Sequence, residues 1–402
     1  MTATFRNSTI ELRAEASIGG ASDVEARRMP RVDIDRGALR RNWRRLADRH
    51  SSARTGAAIK ANGYGLGACE VSRALFAAGC RDFFVAWPSE GRTVRRSLSD
   101  IAGSKARIFV LQGLEPSAVE PCLTDDLVPV LSSLDDLRIW STGLARLGRS
   151  ASCALQFETG MNRLGLDERD LGEAARIAAA AGSPIALVLS HLANADESIA
   201  DSQIQRRRFF RMAAQFPGVP RSLANSAGLF LGDEFAFDLA RPGIALYGGR
   251  AGVPEDVTIE PVARLTAAVL QVRETEAGER AGYGRAAQLS RRTRIATVGI
   301  GYGDGYPRAL SGSGTLSRPD SPAPVAFLAG RRVPILGRIS MDLTLLDITD
   351  VPENAVLPGD RAEFFGPNVP IDDVARAAGT IAYELLTGLG ARVYRSWSEG
   401  PI

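Results

Sequence analysis

Lysine is nearly missing from this chain: only Lys60 and Lys105 occur, so all but two of the 49 basic residues are arginine. Arginine bias by itself reflects base composition. Arginine nevertheless stays protonated in proteins, whereas lysine can lose its proton and act as a nucleophile. Any amine chemistry must therefore fall on one of two positions. Histidine is as scarce, with only His50 and His191; this excludes a zinc site built from several imidazoles and no metal centre is expected. Four cysteines, Cys69, Cys80, Cys122 and Cys153, lie scattered without a CxxC pair, which argues against a zinc ribbon or a disulfide framework and reads as packing. No apolar run is long enough to span a membrane, and residues 1–29 are polar and charged, unlike a signal peptide. A net charge of +3 over 402 residues provides no field for nucleic acid or a membrane surface. The expectation is a cytoplasmic protein with a flexible extension at 1–30 and neither kind of partner.

What is present is an alternation. From about residue 31 to 256, short apolar strands (57–60, 82–86, 107–111, 128–131, 152–157, 185–190, 222–224 and 239–241) alternate with helical stretches such as 68–78, 133–147 and 170–181. In the last of these Leu171, Ala174, Ile177, Ala178 and Ala181 share one helical face. Repeated strand–helix units imply a parallel sheet with crossover helices, and eight of them fit a (β/α)8 TIM-type barrel better than an open sheet. After residue 257 the pattern changes to short alternating segments at 263–275, 293–300, 323–328, 333–336 and 343–348, interrupted by one helical stretch at 371–378. Residues 257–402 read as a mainly β domain.

Candidate chemistry clusters at strand ends. Lys60 follows the apolar stretch Gly56-Ala57-Ala58-Ile59 and precedes Ala61-Asn62-Gly63-Tyr64-Gly65-Leu66-Gly67. A residue at the carboxyl end of a barrel strand faces the active-site mouth, and an amine set against apolar walls has its pKa lowered by desolvation. Such an amine can form a Schiff base with a carbonyl compound; the alternative is a plain surface lysine. Further polar loops follow later strands: Glu158–Gly165 with Arg163, Ser190–Asp196 with His191, Ala224–Gly228 with Ser226, and Ala240–Gly248 with Arg241. Arginine can clamp a carboxylate, a lone histidine is more often a satisfied core residue, and glycine-flanked N–H groups with serine hydroxyls make anion sites. The run Gly299–Gly305 opens no clear helix and reads as a turn rather than a nucleotide loop. The clusters Arg40–Arg45 and Arg206–Arg208 read as solvated helix faces.

Together these motifs, in this order from about Val32 to the C-terminus, resemble the alanine racemases of the fold-type III pyridoxal-phosphate enzymes. The resemblance implies that Lys60 carries pyridoxal 5'-phosphate and is one catalytic acid–base. Tyr283, in Ala281-Gly282-Tyr283-Gly284-Arg285, would be the other, reaching in from the partner of a homodimer. Arg241 would meet the pyridine nitrogen, with His191 linking it to Tyr283. Tyr64, Ser226, Gly243, Ile244 and Tyr383 would hold the phosphate, while Arg163 and the backbone of Met341 would orient the substrate carboxylate. Asp196, Tyr302, Arg338 and Ile381 match the corridor leading to the site. Two groups on opposite faces of the α-carbon are the simplest route to racemisation, and lysine and tyrosine both accept and donate protons. Arginine cannot take up the ring proton, which should leave the ring neutral and discourage transamination.

Several positions depart from the family pattern. Gln156 stands where many relatives have a carbamylated lysine that steadies the arginine matching Arg163; here the glutamine oxygen is expected to orient Arg163 instead. Leu66, Glu158 and Ala382 replace a frequent histidine, aspartate and polar residue. With Gln156 and Ser340 altered, serine or a broader range of amino acids remains an alternative substrate. A fold-type III decarboxylase would place a cysteine in the β domain, where none exists beyond Cys153. A non-catalytic carrier of the cofactor would lack both the β domain and Tyr283. The product's role, cell-wall synthesis as is usual in bacteria or amino-acid catabolism, stays open.

Overall fold

The computed structural model describes residues 28–50, 52–101, 105–312 and 322–402. The extension expected at 1–30 lies almost wholly outside the described residues.

Chain order begins with a correction. Strand β1 (Arg31–Asp35) does not open the barrel; it joins the sheet of the second half, antiparallel to β11 (Ala263–Thr275) and parallel to β19 (Tyr394–Ser398). The 31–256 boundary drawn from sequence therefore misplaces this strand. Its partners lie more than 200 residues away in sequence, so no local pattern reveals them. Asp35 ends the strand and caps the helix Arg36–Asp48, its Oδ1 accepting from Ala38 N at 2.9 Å. A capping carboxylate satisfies one of the orphan amides of the first turn.

The barrel follows. Strands β2 (Arg54–Thr55), β3 (Ala57–Ala58), β4 (Asp82–Val85), β5 (Arg107–Val110), β6 (Val128–Leu131), β7 (Cys153–Gln156), β8 (Ile185–Leu189), β9 (Arg221–Ser222) and β10 (Leu239–Ala240) alternate with helices. From β3 to β9 the order is sequential and every pairing parallel. The ring closes through β10, which pairs with β2 and whose flanking residues donate toward β9 and the loop after it, Asp238 N→Arg221 O (3.0 Å) and Arg241 N→Ala224 O (2.8 Å). Successive strand residues point to opposite faces. Phe84, Phe109, Val130, Ala154, Leu187, Leu189 and Leu239 accordingly fill the barrel interior as one cluster, with the Phe84 and Phe109 rings stacked at 4.8 Å. Their neighbours Phe83, Val85, Ile108, Val110, Leu155 and Val188 pack outward in the larger core. Three of the cysteines are buried in the packing as expected, whereas Cys69 is exposed.

The second half is also closed. Strand β11 pairs with both β14 (Thr293–Val298) and β18 (Arg361–Phe365), and the circuit runs β14-β17-β16-β15-β18 through β15 (Val325–Leu328), β16 (Arg331–Leu336) and β17 (Thr344–Asp347). A register shift between Val269 and Gln271 lets the 13-residue β11 bend to serve both neighbours. The short hairpin β12 (Arg280–Ala281) and β13 (Ala287–Gln288) stands apart from this sheet. Strands β18 and β19 and the helix Ala382–Thr387 had no clear signature. β18 is buried on both faces and so does not alternate; Tyr394–Ser398 is mostly polar and half-buried. No helix among the described residues is long and apolar enough to cross a membrane.

Candidate active site

Strand β3 ends at Ala58, two residues earlier than the sequence suggested, and the backbone then turns left-handed. Ala61, Asn62, Gly63 and Tyr64 have φ of 53°, 55°, 63° and 55°. Only glycine adopts this region freely, so a run of four residues there is a strained segment that its surroundings must hold. Gly63 N donates to Ile59 O (2.9 Å), Gly65 N to Ala61 O (2.8 Å) and Ala68 N to Asn62 Oδ1 (2.9 Å). The turn delivers Lys60 to a cavity of about 540 Å³, which it lines together with Tyr64, Arg163, His191, Ser226, Arg241, Gly243 and Tyr383. Burial first, then the charge of Arg163 and, more weakly, that of Arg241, lower the Lys60 pKa; Glu90 opposes them. Its amine is thus neutral more readily than that of a free lysine.

Arg241 is buried among strand ends. Its Nη1 donates to Ser222 Oγ (2.5 Å) and its Nη2 to Ser190 O (2.6 Å). Burial lowers its pKa to about 10, still high enough to keep the guanidinium charged at neutral pH. His191 is pushed down to about 3, by burial first and then by Arg241, Arg163 and Lys60, so the imidazole is neutral. The two residues line one cavity, but the bonds of Arg241 run to the two serines, and the expected link through His191 to Tyr283 is not formed within one chain among the described residues.

Behind this wall lies a residue the sequence reading missed. Gln205 is buried, and its Nε2 donates to Thr159 Oγ1 (3.2 Å) and His191 O (3.0 Å) while Oε1 accepts from Ala193 N (2.8 Å). Thr159 meets Ser190 Oγ at 2.7 Å, and Ser190 Oγ donates to Phe157 O. One amide thereby ties the Arg163 loop to the His191 loop. The available signal was a polar residue within a buried stripe: Ser202, Gln205, Phe209 and Met212 share the inner face of the helix Ile199–Ala213.

Opposite Lys60, the Ser226 hydroxyl accepts from Gly243 N (2.9 Å) and Ala245 N (3.3 Å). Ile244 opens the 3-10 turn Ile244–Tyr247 beside them, buried next to the cavity lining. Tyr64 stacks on Tyr247 (centroids 4.4 Å apart, 23° between planes) and lies 6.0 Å from Tyr383. Tyr247 was also missed; its hydroxyl donates to Ala58 O at 3.0 Å and so ties this corner to β3. Burial, with the charges of Asp196 and Asp372, pushes Tyr383 up to about 12; burial also raises Tyr64. A side chain at Gly243 would run into Tyr64 Oη, whose ring is stacked on Tyr247. Gly243→Ala is therefore expected to destabilise the fold by about 1–3 kcal/mol, measured as a lower denaturation midpoint; an unchanged midpoint would show that Tyr64 can move.

The Arg163 loop is built by Glu158, whose carboxylate accepts from Gly160 N and, at 2.8 Å, from Asn162 N. Gln156 corrects one expectation. Its Nε2 donates to Leu164 O at 3.0 Å, so it steadies the loop through the backbone beside Arg163 rather than by presenting its oxygen to the guanidinium. Leu66 and Ala382, the other departures from the family pattern, are buried packing residues.

Seven of the anticipated residues do not line the cavity: Ile244, buried just behind it, and six that lie elsewhere. Tyr283 lies at the tip of the β12–β13 hairpin and is 69% exposed. Tyr302 (43% exposed) and Met341 (53%) sit on one neighbouring loop pair, joined by Tyr302 N→Ser340 O (3.1 Å) and Gly303 N→Met341 O (2.8 Å). The Arg338 guanidinium packs toward Gly284 beside Tyr283. Ile381 (59% exposed) and Asp196 are open to solvent. Lining residues not anticipated include Phe84, Gln112, Asn225 and Thr387.

Fold and cavity together define a barrel with one lysine of lowered pKa among the arginines, serine and tyrosines at its strand ends. The family profile for the alanine racemase N-terminal domain matches residues 34–251, and that for the C-terminal domain matches residues 262–397. The chain belongs to the alanine racemase family. It is 46% identical to the biosynthetic alanine racemase of Agrobacterium fabrum, over 91% of this chain and 93% of the relative. It is 42% identical to the catabolic enzyme of that organism, over 97% and 96%. The solved alanine racemase of Bartonella henselae, with covalently bound pyridoxal phosphate, superimposes with a TM-score of 0.82 at 35% identity, over 92% of this chain and 99% of that one.

Proposed function

We propose that this enzyme interconverts L- and D-alanine with pyridoxal phosphate, using Lys60 of one copy and Tyr283 of a second copy as the two acid–bases. The observation that carries the reading is a single cavity holding a lysine of lowered pKa opposite a corner of backbone N–H groups, a serine hydroxyl and two tyrosines. Such a corner fits a phosphate, since the Ser226 hydroxyl, accepting from Gly243 N and Ala245 N, keeps its own proton to donate to an anion. The glycine there lets the Tyr64 hydroxyl close on the backbone, where a Cβ would collide with it. Lys60 would hold the cofactor, Tyr64, Ser226, Gly243, Ile244 and Tyr383 its phosphate, and Arg241 its ring nitrogen. Bound pyridoxal phosphate would supply the electron withdrawal that loosens the α-hydrogen of the substrate.

The remaining work falls to side chains of this chain. Arg163, beside the amine, presents a fixed charge to the substrate carboxylate. The neutral His191 leaves Arg241 as the charge facing the ring. Arg241 has no proton to spare at neutral pH and keeps that charge in place. Lys60 takes or returns a proton at the α-carbon on one face. The opposite face needs a second group, and Tyr283 is exposed and absent from its own chain's cavity lining, as are Tyr302 and Met341. Large side chains left exposed in this way suit contact with a second copy, and a symmetric pair of copies would present each Tyr283 to the other's cavity.

Incubation with L-alanine, L-serine or L-lysine, followed by chromatographic resolution of enantiomers, tests the reading. Alanine is expected to racemise fastest. Faster racemisation of serine would reassign the substrate, and release of carbon dioxide without racemisation would favour a decarboxylase.

A further inference from the structure

Lys60 is held from outside its own loop. Glu90 lies in the first turn of the helix Pro88–Leu98, where a glutamate ordinarily reaches back to cap the helix. One oxygen does this: Oε2 accepts from Ala86 N (2.7 Å) and Trp87 N (3.3 Å). The other leaves the helix, and Oε1 accepts from Ala61 N at 2.7 Å. That amide directly follows Lys60 and belongs to the first residue of the left-handed run. Helix capping accounts for the first oxygen only.

We propose that Glu90 is a positioning residue for the Lys60 amine, an inference that rests on Lys60 being the reactive lysine. A left-handed alanine is strained, and a charged acceptor at its amide is the stronger kind of hydrogen bond. Glu90 thus links the strained turn to the end of β4 and sets the direction in which Lys60 leaves the backbone. Its charge acts on the same amine. Among the groups around Lys60, Arg163 and Arg241 disfavour the ammonium form and Glu90 favours it. His191, Tyr64 and Tyr383 complete the titratable lining. Lys60 therefore stands between two cations that free its proton and one anion that retains it, as a group that must both accept and donate requires.

The scarcity of lysine makes a direct test feasible. With the cofactor removed from the full-length protein, the pH dependence of acetylation at Lys60 and Lys105 is followed by peptide mapping. Glu90→Gln keeps the shape but removes the charge and turns one of the two accepting oxygens into a donor, so the ammonium form loses support and the Lys60 midpoint should fall by about one pH unit. Lys105 should not change. An unshifted Lys60 midpoint, or an equal shift at Lys105, overturns the inference. Glu90→Asp provides the second arm. It retains the charge but shortens the reach to Ala61, so the midpoint should stay near wild type. In the holoenzyme kcat should drop by about tenfold with KM little changed, because only orientation is lost. A wild-type kcat in that variant counts against positioning even if Glu90→Gln does not fold. Borohydride reduction of the wild-type holoenzyme with peptide mapping separates the two ideas: no pyridoxyl label at Lys60 defeats the parent reading, whereas a label with an unshifted Glu90→Gln midpoint defeats this one alone.

Discussion

Lys60→Arg should abolish racemisation, lowering kcat by roughly 10³-fold or more, the scale of losing both the covalent attachment and one acid–base. The substitution keeps the positive charge and most of the length, so the expected loss isolates what arginine cannot do: become a neutral nucleophile. In this chain 47 arginines are available to carry charge, and the site still uses a lysine. Lys105 is the built-in control, exposed and remote in sequence. Lys105→Arg should leave the rate within about twofold, as surface substitutions usually do. Enantiomer resolution gives the rate, and the visible absorbance of bound cofactor reports whether it is held. Retention of a tenth of wild-type activity in Lys60→Arg would remove the lysine from the centre of the mechanism.

The second large effect concerns sharing between copies. Lys60→Ala and Tyr283→Phe should each be inactive alone, yet coexpressing them should restore activity. In a mixed dimer one site combines the intact Lys60 of one copy with the intact Tyr283 of the other, and the second site has neither. Random pairing makes half the dimers mixed, each with one of two sites intact, so the expected recovery is about a quarter of wild type. Separating the mixed dimer by affinity tags would raise that to about one half. If Tyr283 served the cavity of its own chain, both sites of the mixed dimer would be defective and nothing would be recovered. The structure motivates the expectation directly, since Tyr283 is 69% exposed on its hairpin and absent from the cavity lining of its own chain.

These two residues also illustrate how unevenly the site can be read before folding. Scarcity narrows any reactive amine to two lysines and the place after an apolar strand favours Lys60, while its role came from the family resemblance. The corner proposed for a phosphate was a candidate anion site already from glycine and serine in two loops, because backbone N–H groups need only the right turn to attract an anion. Glu90, Gln205 and Tyr247 were not. Each acts on residues between 12 and 189 positions away, and nothing in the surrounding sequence shows which loop it will meet. Gln156 was noticed but misassigned: a glutamine can donate or accept, and only the approach of Leu164 O made it a donor here.

The same division runs through the fold. Composition and the alternation of apolar strands with helices determined the two-part architecture and the chemistry available to it, because side-chain ionisation and the periods of strand and helix belong to the local chain. The tertiary structure alone decided that β1 leaves the first half for the sheet of the second, that β10 closes the ring onto β2, and which strand ends converge on Lys60. Those outcomes depend on pairing between segments tens to hundreds of residues apart. There the hydrogen bonds and buried area of the whole molecule outweigh any local preference.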